Sequence, residues 1–252
     1  MIFTNLIKTN LRTKTFGRRI EYYQRLESTN KEAWELIDAD EAENGMIVIT
    51  DHQFSGKGRN SNKWYMSPSK GLAMSIIILE SLDISKAQLI PLAAGLAVAK
   101  ALTNRGSNPK LKWPNDIYIQ NKKCGGILCE SKISNKTVKK MVIGIGLNIN
   151  EQETDFDSII KENATSLSIE TGHSNQRELV AAIITTYFEQ IFNDLSQIKD
   201  QWSSYCFHLN DKISFKHNNI LFEGIFKGIT QKGLARIEIN QEIKEFPSII
   251  LD

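Results

Sequence analysis

Four short stretches of this 252-residue chain hold residue types that could do chemistry. The first is Gly56-Lys57-Gly58-Arg59. Its glycines let the backbone approach a ligand closely, and its cations suit an anion, the arginine offering a bidentate fork to phosphate. The usual phosphate loop is excluded, because no G-x-x-x-x-G-K-[ST] occurs in the sequence. The second and third are Lys112-Trp113-Pro114-Asn115-Asp116 and Lys123-Cys124-Gly125-Gly126. A Trp-Pro pair inside apolar strands removes a ladder donor and belongs at an edge or bulge. Asn115 and Asp116 therefore read as an exposed turn bearing a carboxylate, with Lys123 returning on the next strand beside a glycine pair that leaves room for a ligand. An ordinary surface hairpin over Asp116–Lys123 would carry the same residues. The fourth stretch runs from Val142 to Asn150, where Gly144 and Gly146 alternate on one strand face. That face would admit a flat ligand or a closely packed helix.

The elements that must position these stretches follow from periodicity and turn residues. Thr29-Asn30-Lys31-Glu32 has the form of a capping box, with Ala33, Trp34 and Ile37 on one face, giving a helix over about 30–39. Met46–Thr50 and Leu72–Leu79 read as buried strands. Between them lies a polar stretch that is long for a connector, with four basic residues and one acid from Asp51 to Lys70. An Ala/Leu-rich buried helix is expected over 86–104, strands at 110–113, 116–120, 124–133 and 138–149 with a turn at Asn121-Lys122, and a helix over about 176–198. The last 44 residues break into short strands separated by Asn218-Asn219, Lys232-Gly233 and Asn240-Gln241 turns, the pattern of a small β-barrel. The expected architecture is α+β: a mixed central sheet with helices mainly on one face over residues 1–206, followed by a β-barrel over 207–252.

Composition narrows the function classes. With 41% hydrophobic and 24% charged residues the chain is an ordinary globular one, and its net charge of +2 drives it onto neither nucleic acid nor membrane. Residues 1–27 hold six basic and two acidic residues, so charge acts locally. The longest uncharged run, Ala87–Ala99, is 13 residues and contains Pro91, short of the ~20 that a spanning helix needs. Three cysteines cannot all pair, which points to a reducing, cytoplasmic setting. Cys124 and Cys129 read as packing residues, and the four histidines lack metal-ligand spacing, so no metal site is assigned.

Taken together, Ser28-Thr29-Asn30, Gln53 through Arg59 with Lys63-Trp64, Lys112 through Asp116, Lys123 through Leu128 and Gly144 through Asn148 resemble the biotin protein ligases, in order and in separation. The motifs cover roughly residues 20–150, and the tail is similar to the SH3-like C-terminal domain of those enzymes. What precedes Glu21 is too short for a winged helix-turn-helix, so the resemblance is to the monofunctional form. It implies activation of biotin by Mg²⁺-ATP to biotinyl-5′-AMP, then transfer to one lysine of a biotin carboxyl carrier domain; homodimers occur in such enzymes. It also implies roles. Ser28, Thr29, Asn30, Gln53, Gly56, Lys57, Lys123, Gly125, Gly126, Gly144 and Gly146 would bind biotin. Lys57, Arg59, Trp64, Lys112, Asn115, Lys123 and Asn148 would bind the nucleotide.

The chemistry fits those residues. Two anions must meet in the first step, so cations have to offset their repulsion and stabilise the charge developing on phosphate; Lys123 and Arg59 are the catalytic candidates. In the second step a carrier lysine of pKa ~10.4 is neutral in only about one part in 2,500 at pH 7, and Asp116 is the candidate to take its proton. The family loop often reads G-R-G-R-x-G-R-x-W, whereas Lys57, Ser61 and Asn62 stand at three of its positions here, so adenylate retention is expected to be weaker. The alternative within the superfamily is a lipoate or octanoate ligase or acyltransferase, for which Cys124 would be the acyl acceptor. A non-catalytic module docking onto RNA or an acidic partner is disfavoured by the tail's zero net charge, six basic against six acidic residues, and by the lack of interleaved aromatic and basic residues.

Overall fold

The computed structural model describes residues 1–135, 137–217 and 220–251, with side chains throughout except at Ser61, Ile250 and Leu251. In chain order the helices are α1 (Thr4–Asn10), α2 (Thr29–Asp38), α3 (Ile84–Ala87), α4 (Ile90–Asn104), α5 (Leu167–Thr171), α6 (Arg177–Asn193) and α7 (Ile198–Ser204). The strands of the first sheet are β1 (Ile20–Tyr23), β2 (Ile47–Thr50), β5 (Leu72–Ile78), β6 (Leu82–Asp83), β7 (Pro109–Lys112), β8 (Asp116–Ile119), β9 (Lys122–Ser134) and β10 (Thr137–Leu147), while β3 (Gly56–Lys57) and β4 (Lys63–Trp64) form a small separate ladder. Its order is β1-β2-β5-β10-β9-β8-β7 with β6 on β10, and only the β1/β2 pair is parallel.

Every residue of β5 is buried, so this central strand needs apolar residues on both faces. On one face α4 and α6 cover the main core, which is where the Ala/Leu run buries Leu96, Val98 and Leu102. On the other, α2 sets Ala33, Leu36 and Ile37 against Val48, Ile77 and Val142. The second sheet, β11 (Lys212–His217), β12 (Ile220–Ile229), β13 (Ala235–Ile239), β14 (Glu242–Phe246) and β15 (Ile250–Leu251), is antiparallel in the order β14-β13-β12-β11-β15, as expected of an SH3-like domain. Its Phe215, Phe226, Ile237 and Phe246 continue the main core, and Trp113 Nε1 donates to the Gly233 carbonyl at 3.1 Å, so the two sheets pack as one body.

Several boundaries move. The helix expected over 86–104 is two, broken at Gln88 and Leu89 because Pro91 cannot supply a helical donor and so begins a new helix. The helix expected over 176–198 stops at Asn193: Asp194 is extended and its carboxylate accepts from Ser196 N at 3.0 Å, a local turn that competes with the helix. The β8–β9 turn is at Gln120 and Asn121, both with positive φ, and Lys122 is already in the strand. The Asn240-Gln241 turn has the positive φ pair of a tight hairpin, whereas the Asn218-Asn219 turn lies outside the described residues. Residues 1–19 wrap back onto α6, where Glu189 accepts from the backbone N–H groups of Lys14, Thr15 and Phe16 and Glu178 from that of Phe3. No helix among the described residues is long and apolar enough to cross a membrane.

Candidate active site

Strand alternation builds the floor of one cavity. Gly126, Leu128 and Glu130 of β9 pair with Gly146, Gly144 and Val142 of β10, which in turn pair with Ala73, Ser75 and Ile77 of β5. Directly paired residues share a face, so small side chains lie together on the α2 side of the sheet just beyond the N-terminus of α2. The glycines make room for protein side chains as well as for a ligand. A Cβ at Gly144 would stand 2.3 Å from Asn30 Oδ1, and one at Gly146 would stand 2.6 Å from the Trp64 indole.

One end of the cavity is neutral and polar. Ser28 is the residue preceding α2, but its side chain makes no cap bond and Thr29 makes none to Glu32, so the expected capping box is absent. Thr29 instead gives its backbone N–H to Gln53 Oε1 at 2.8 Å, with its hydroxyl 2.7 Å from Ser75 Oγ. The tie to Gln53 takes the place of the local cap. Ser28, Thr29, Asn30 and Gln53 all line the cavity while being largely buried.

The other end is cationic. Lys57, Arg59, Lys63, Lys112 and Lys123 line it against a single carboxylate among the described residues, Asp116. The β3–β4 ladder sets Lys57 directly opposite Lys63 and brings Trp64 onto the cavity wall. Arg59 reaches across to Asn115 Oδ1 and to Ser248 Oγ, both at 3.2 Å. Burial lowers its pKa, and Asp116 opposes that shift. Asn115 is fixed in turn, its backbone oxygen accepting from Ile127 N and its Nδ2 donating to the Ile127 carbonyl, each at 2.9 Å. Trp64 Nε1 is buried and has no hydrogen-bond partner among the described residues.

Between the two ends Lys123 Nζ lies 2.7 Å from Asp116 Oδ1, both side chains partly exposed to the cavity. The pairing register explains the meeting: Ile117 faces Gly125 and Tyr118 faces Lys123, leaving Cys124 as the extra residue of a β-bulge. Without the bulge Lys123 would share a face with Gly125, against the core. With it, Lys123 joins Asp116 and Gly126 on the cavity side. Its backbone is held on the other edge by Asn163 and Thr165, at 2.7 and 3.0 Å.

The family model described as the biotin/lipoate A/B protein ligase family matches residues 22–148. The chain is 34% identical over 248 residues to the bifunctional ligase/repressor BirA of Bacillus subtilis, covering 96% of this chain and 76% of that one. The chain belongs to this ligase family. It is also 28% identical to the biotin–[acetyl-CoA-carboxylase] ligase of Paracoccus denitrificans over 83% of this chain and 90% of that one. Among solved structures, the biotin protein ligase of Aquifex aeolicus in complex with biotin and ATP superposes with a TM-score of 0.77 at 27% identity, over 93% of this chain and 99% of that one.

Within this ligase fold, most of the residues singled out in the sequence come together on the cavity wall, and three do not. Gly125 falls on the opposite face from Gly126, where a Cβ would meet Leu147 Cδ2 at 2.3 Å. Gly56 lies beneath the loop, where a Cβ would meet Gln53 Nε2 and the Trp64 carbonyl at 2.5 Å, so it shapes the wall without lining it. Asn148 is turned away: its Nδ2 donates to the Thr165 carbonyl at 2.9 Å, and its own carbonyl accepts from the buried Cys124 thiol at 3.4 Å. Sequence reasoning missed Asn60, Lys63 as a lining cation, Leu128 and Ile249. The period-2 alternation starting from Gly126 carries the signal for Leu128; nothing local marks Ile249, which arrives from the second sheet.

Proposed function

We propose that this chain is an ATP-dependent biotin–protein ligase. Biotin and Mg²⁺-ATP give biotinyl-5′-AMP and pyrophosphate, and a carrier-domain lysine then displaces AMP to form the amide. The observation that carries the reading is the Lys123–Asp116 pair standing between a neutral hydrogen-bonding end and a cationic end of the same cavity.

In this reading the vitamin's uncharged ring lies near Ser28, Thr29 and Gln53, with its carboxylate directed at Lys123. Lys57, Arg59, Lys63 and Lys112 offset the charge of the triphosphate and of the departing pyrophosphate, which they do most strongly where water is excluded. The partnerless indole N–H of Trp64 supports a nucleotide contact. Mg²⁺ enters this reading as part of the nucleotide substrate. Asp116 receives the carrier ammonium proton, and the neutral amine attacks the acyl carbonyl. The proposal includes a cytoplasmic enzyme with no nucleic-acid partner and a domain boundary at 206/207, between the end of α7 and the start of β11.

The lipoate or octanoate alternative is weaker on one specific ground: Cys124 is fully buried and its thiol pKa is pushed up by that burial, which is the reverse of what an acyl-accepting thiolate needs. ATP/pyrophosphate exchange in the presence of biotin or lipoate, with mass spectrometry of the adenylate, tests the choice. Biotinyl-AMP is the expected product. Exchange driven by lipoate alone would reverse the assignment.

A further inference from the structure

The hydrogen bonds at the neutral end of the cavity form one chain, and its direction is set from outside the cavity. Glu130, an exposed residue of β9, accepts from Asn30 Nδ2 at 2.7 Å, and the Leu128 carbonyl accepts from the same nitrogen at 3.2 Å. A carboxylate and a carbonyl can only accept, so the amide nitrogen of Asn30 must face them and its oxygen must face Ser75. Ser75 Oγ, fully buried, lies 2.7 Å from Asn30 Oδ1 and 2.7 Å from Thr29 Oγ1. The serine has one proton. Since Asn30 Oδ1 can only accept, that proton goes there, and the 2.7 Å contact between Ser75 and Thr29 takes the threonine's hydroxyl proton in preference to Gln53 Oε1, which lies 3.4 Å from Thr29 Oγ1. On the other side Gln53 Oε1 takes the backbone N–H of Thr29 at 2.8 Å, which leaves Gln53 Nε2 as the free end of that amide. What remains for a ligand is Thr29 Oγ1 with lone pairs only and Gln53 Nε2 with protons only.

We propose that Ser75 and Glu130 are positioning residues that fix this polarity. The vitamin end is thereby made to take a neutral cyclic urea, whose N–H meets Thr29 Oγ1 and whose carbonyl oxygen meets Gln53 Nε2. Neither Ser75 nor Glu130 lines the cavity. An acyl chain that ends in an apolar ring leaves both groups buried and unpaired, so the same relay discriminates against it. The inference rests on the biotin-ligase reading and adds to it two residues that touch no substrate.

Calorimetry on the full chain with three probes separates the contributions: biotin, desthiobiotin, which keeps the cyclic urea without the thioether ring, and lipoate, which has no urea. Ser75→Ala frees the Thr29 proton to turn toward the ligand, so both urea probes should weaken by about tenfold while lipoate binding and the KM for ATP stay unchanged. Ser75→Thr should recover the loss. Glu130→Ala, at an exposed position and so safe for folding, should weaken the urea probes by about threefold, with Glu130→Gln recovering because its amide oxygen can still accept. Unchanged urea affinity in both alanine variants would overturn the inference alone. So would an equal loss on the ATP side, which would make the two residues merely structural. Wild-type protein that binds no biotin would remove the biotin reading and this inference together.

Discussion

Lys123 Nζ stands 2.7 Å from Asp116 Oδ1 across a β8–β9 pair whose register slips at Cys124. The bulge turns a lysine that would otherwise meet the core into one that meets the only carboxylate lining the cavity among the described residues. The same carboxylate lies close to Arg59, so the middle of the site is a compact cluster of two cations around one anion.

Asp116→Asn should separate the two half-reactions. Adenylate formation is expected to change by a few-fold, while transfer from preformed biotinyl-AMP to a carrier domain falls by about 10² at pH 7. The deficit should shrink toward pH 10, where the carrier amine becomes neutral without help. Single-turnover transfer rates between pH 7 and 10 check this. Equal losses in both half-reactions would assign Asp116 to holding Lys123 instead.

The floor glycines should divide by what a methyl group meets. Gly144→Ala drives a Cβ to 2.3 Å from Asn30 Oδ1, so it should cost about 1–3 kcal/mol in stability and weaken biotin binding. At Gly126 the nearest atom to an added Cβ is Asp116 Oδ1 at 3.5 Å, an ordinary contact. Gly126→Ala should therefore unfold within about 0.5 kcal/mol of wild type yet bind substrate poorly. Thermal unfolding beside biotin calorimetry distinguishes the two.

Two buried groups should shape stability against pH from opposite sides. Burial raises the Glu151 carboxyl pKa to about 7, and one of its oxygens has no hydrogen-bond partner among the described residues. The folded state thus holds a proton that the unfolded state gives up above about 4.5, so stability declines as pH rises from there to about 7. Burial lowers the His208 pKa to about 4, so the unfolded chain takes up a proton first and stability declines as pH falls from about 6.5 to 4. The two slopes oppose one another between about pH 4.5 and 6.5, so Glu151→Gln should expose the fall in melting temperature toward acid that His208 imposes, and His208→Phe the fall toward neutral pH that Glu151 imposes. The reverse pairing of variants and slopes would refute the assignment.

Cys124→Ala should keep both adenylation and transfer within about threefold of wild type and cost roughly 1 kcal/mol for the small void it leaves. A selective collapse of acyl transfer, with adenylation intact, would instead make the thiol an acyl carrier. Gel-shift biotinylation of a carrier domain measures the outcome.

Local chemistry was legible in the sequence where it depended on residue type and near neighbours. The strands β5, β9 and β10, the cationic loop and the Lys123–Gly126 block were all readable, because apolar runs, turn residues and clustered charges act over a few positions. Register was not. The pattern around Gly125-Gly126 shows two glycines but cannot say which faces the cavity, since that depends on a bulge formed only by pairing with β8. The tie from Thr29 to Gln53 is similarly invisible, because it spans 24 residues and replaces a local cap. The second sheet could be recognised as β-rich, yet nothing in it announced that Ser248 would hold Arg59 or that Ile249 would wall the cavity.

That last contact has a consequence for how the pocket is held together. Ser248 lies 189 positions beyond Arg59, so one side of the pocket is supplied by a segment far along the chain from the loop it holds. Loosening the second sheet from the first would therefore strip Arg59 of its Ser248 partner and the cavity of its Ile249 wall while leaving the glycine floor in place.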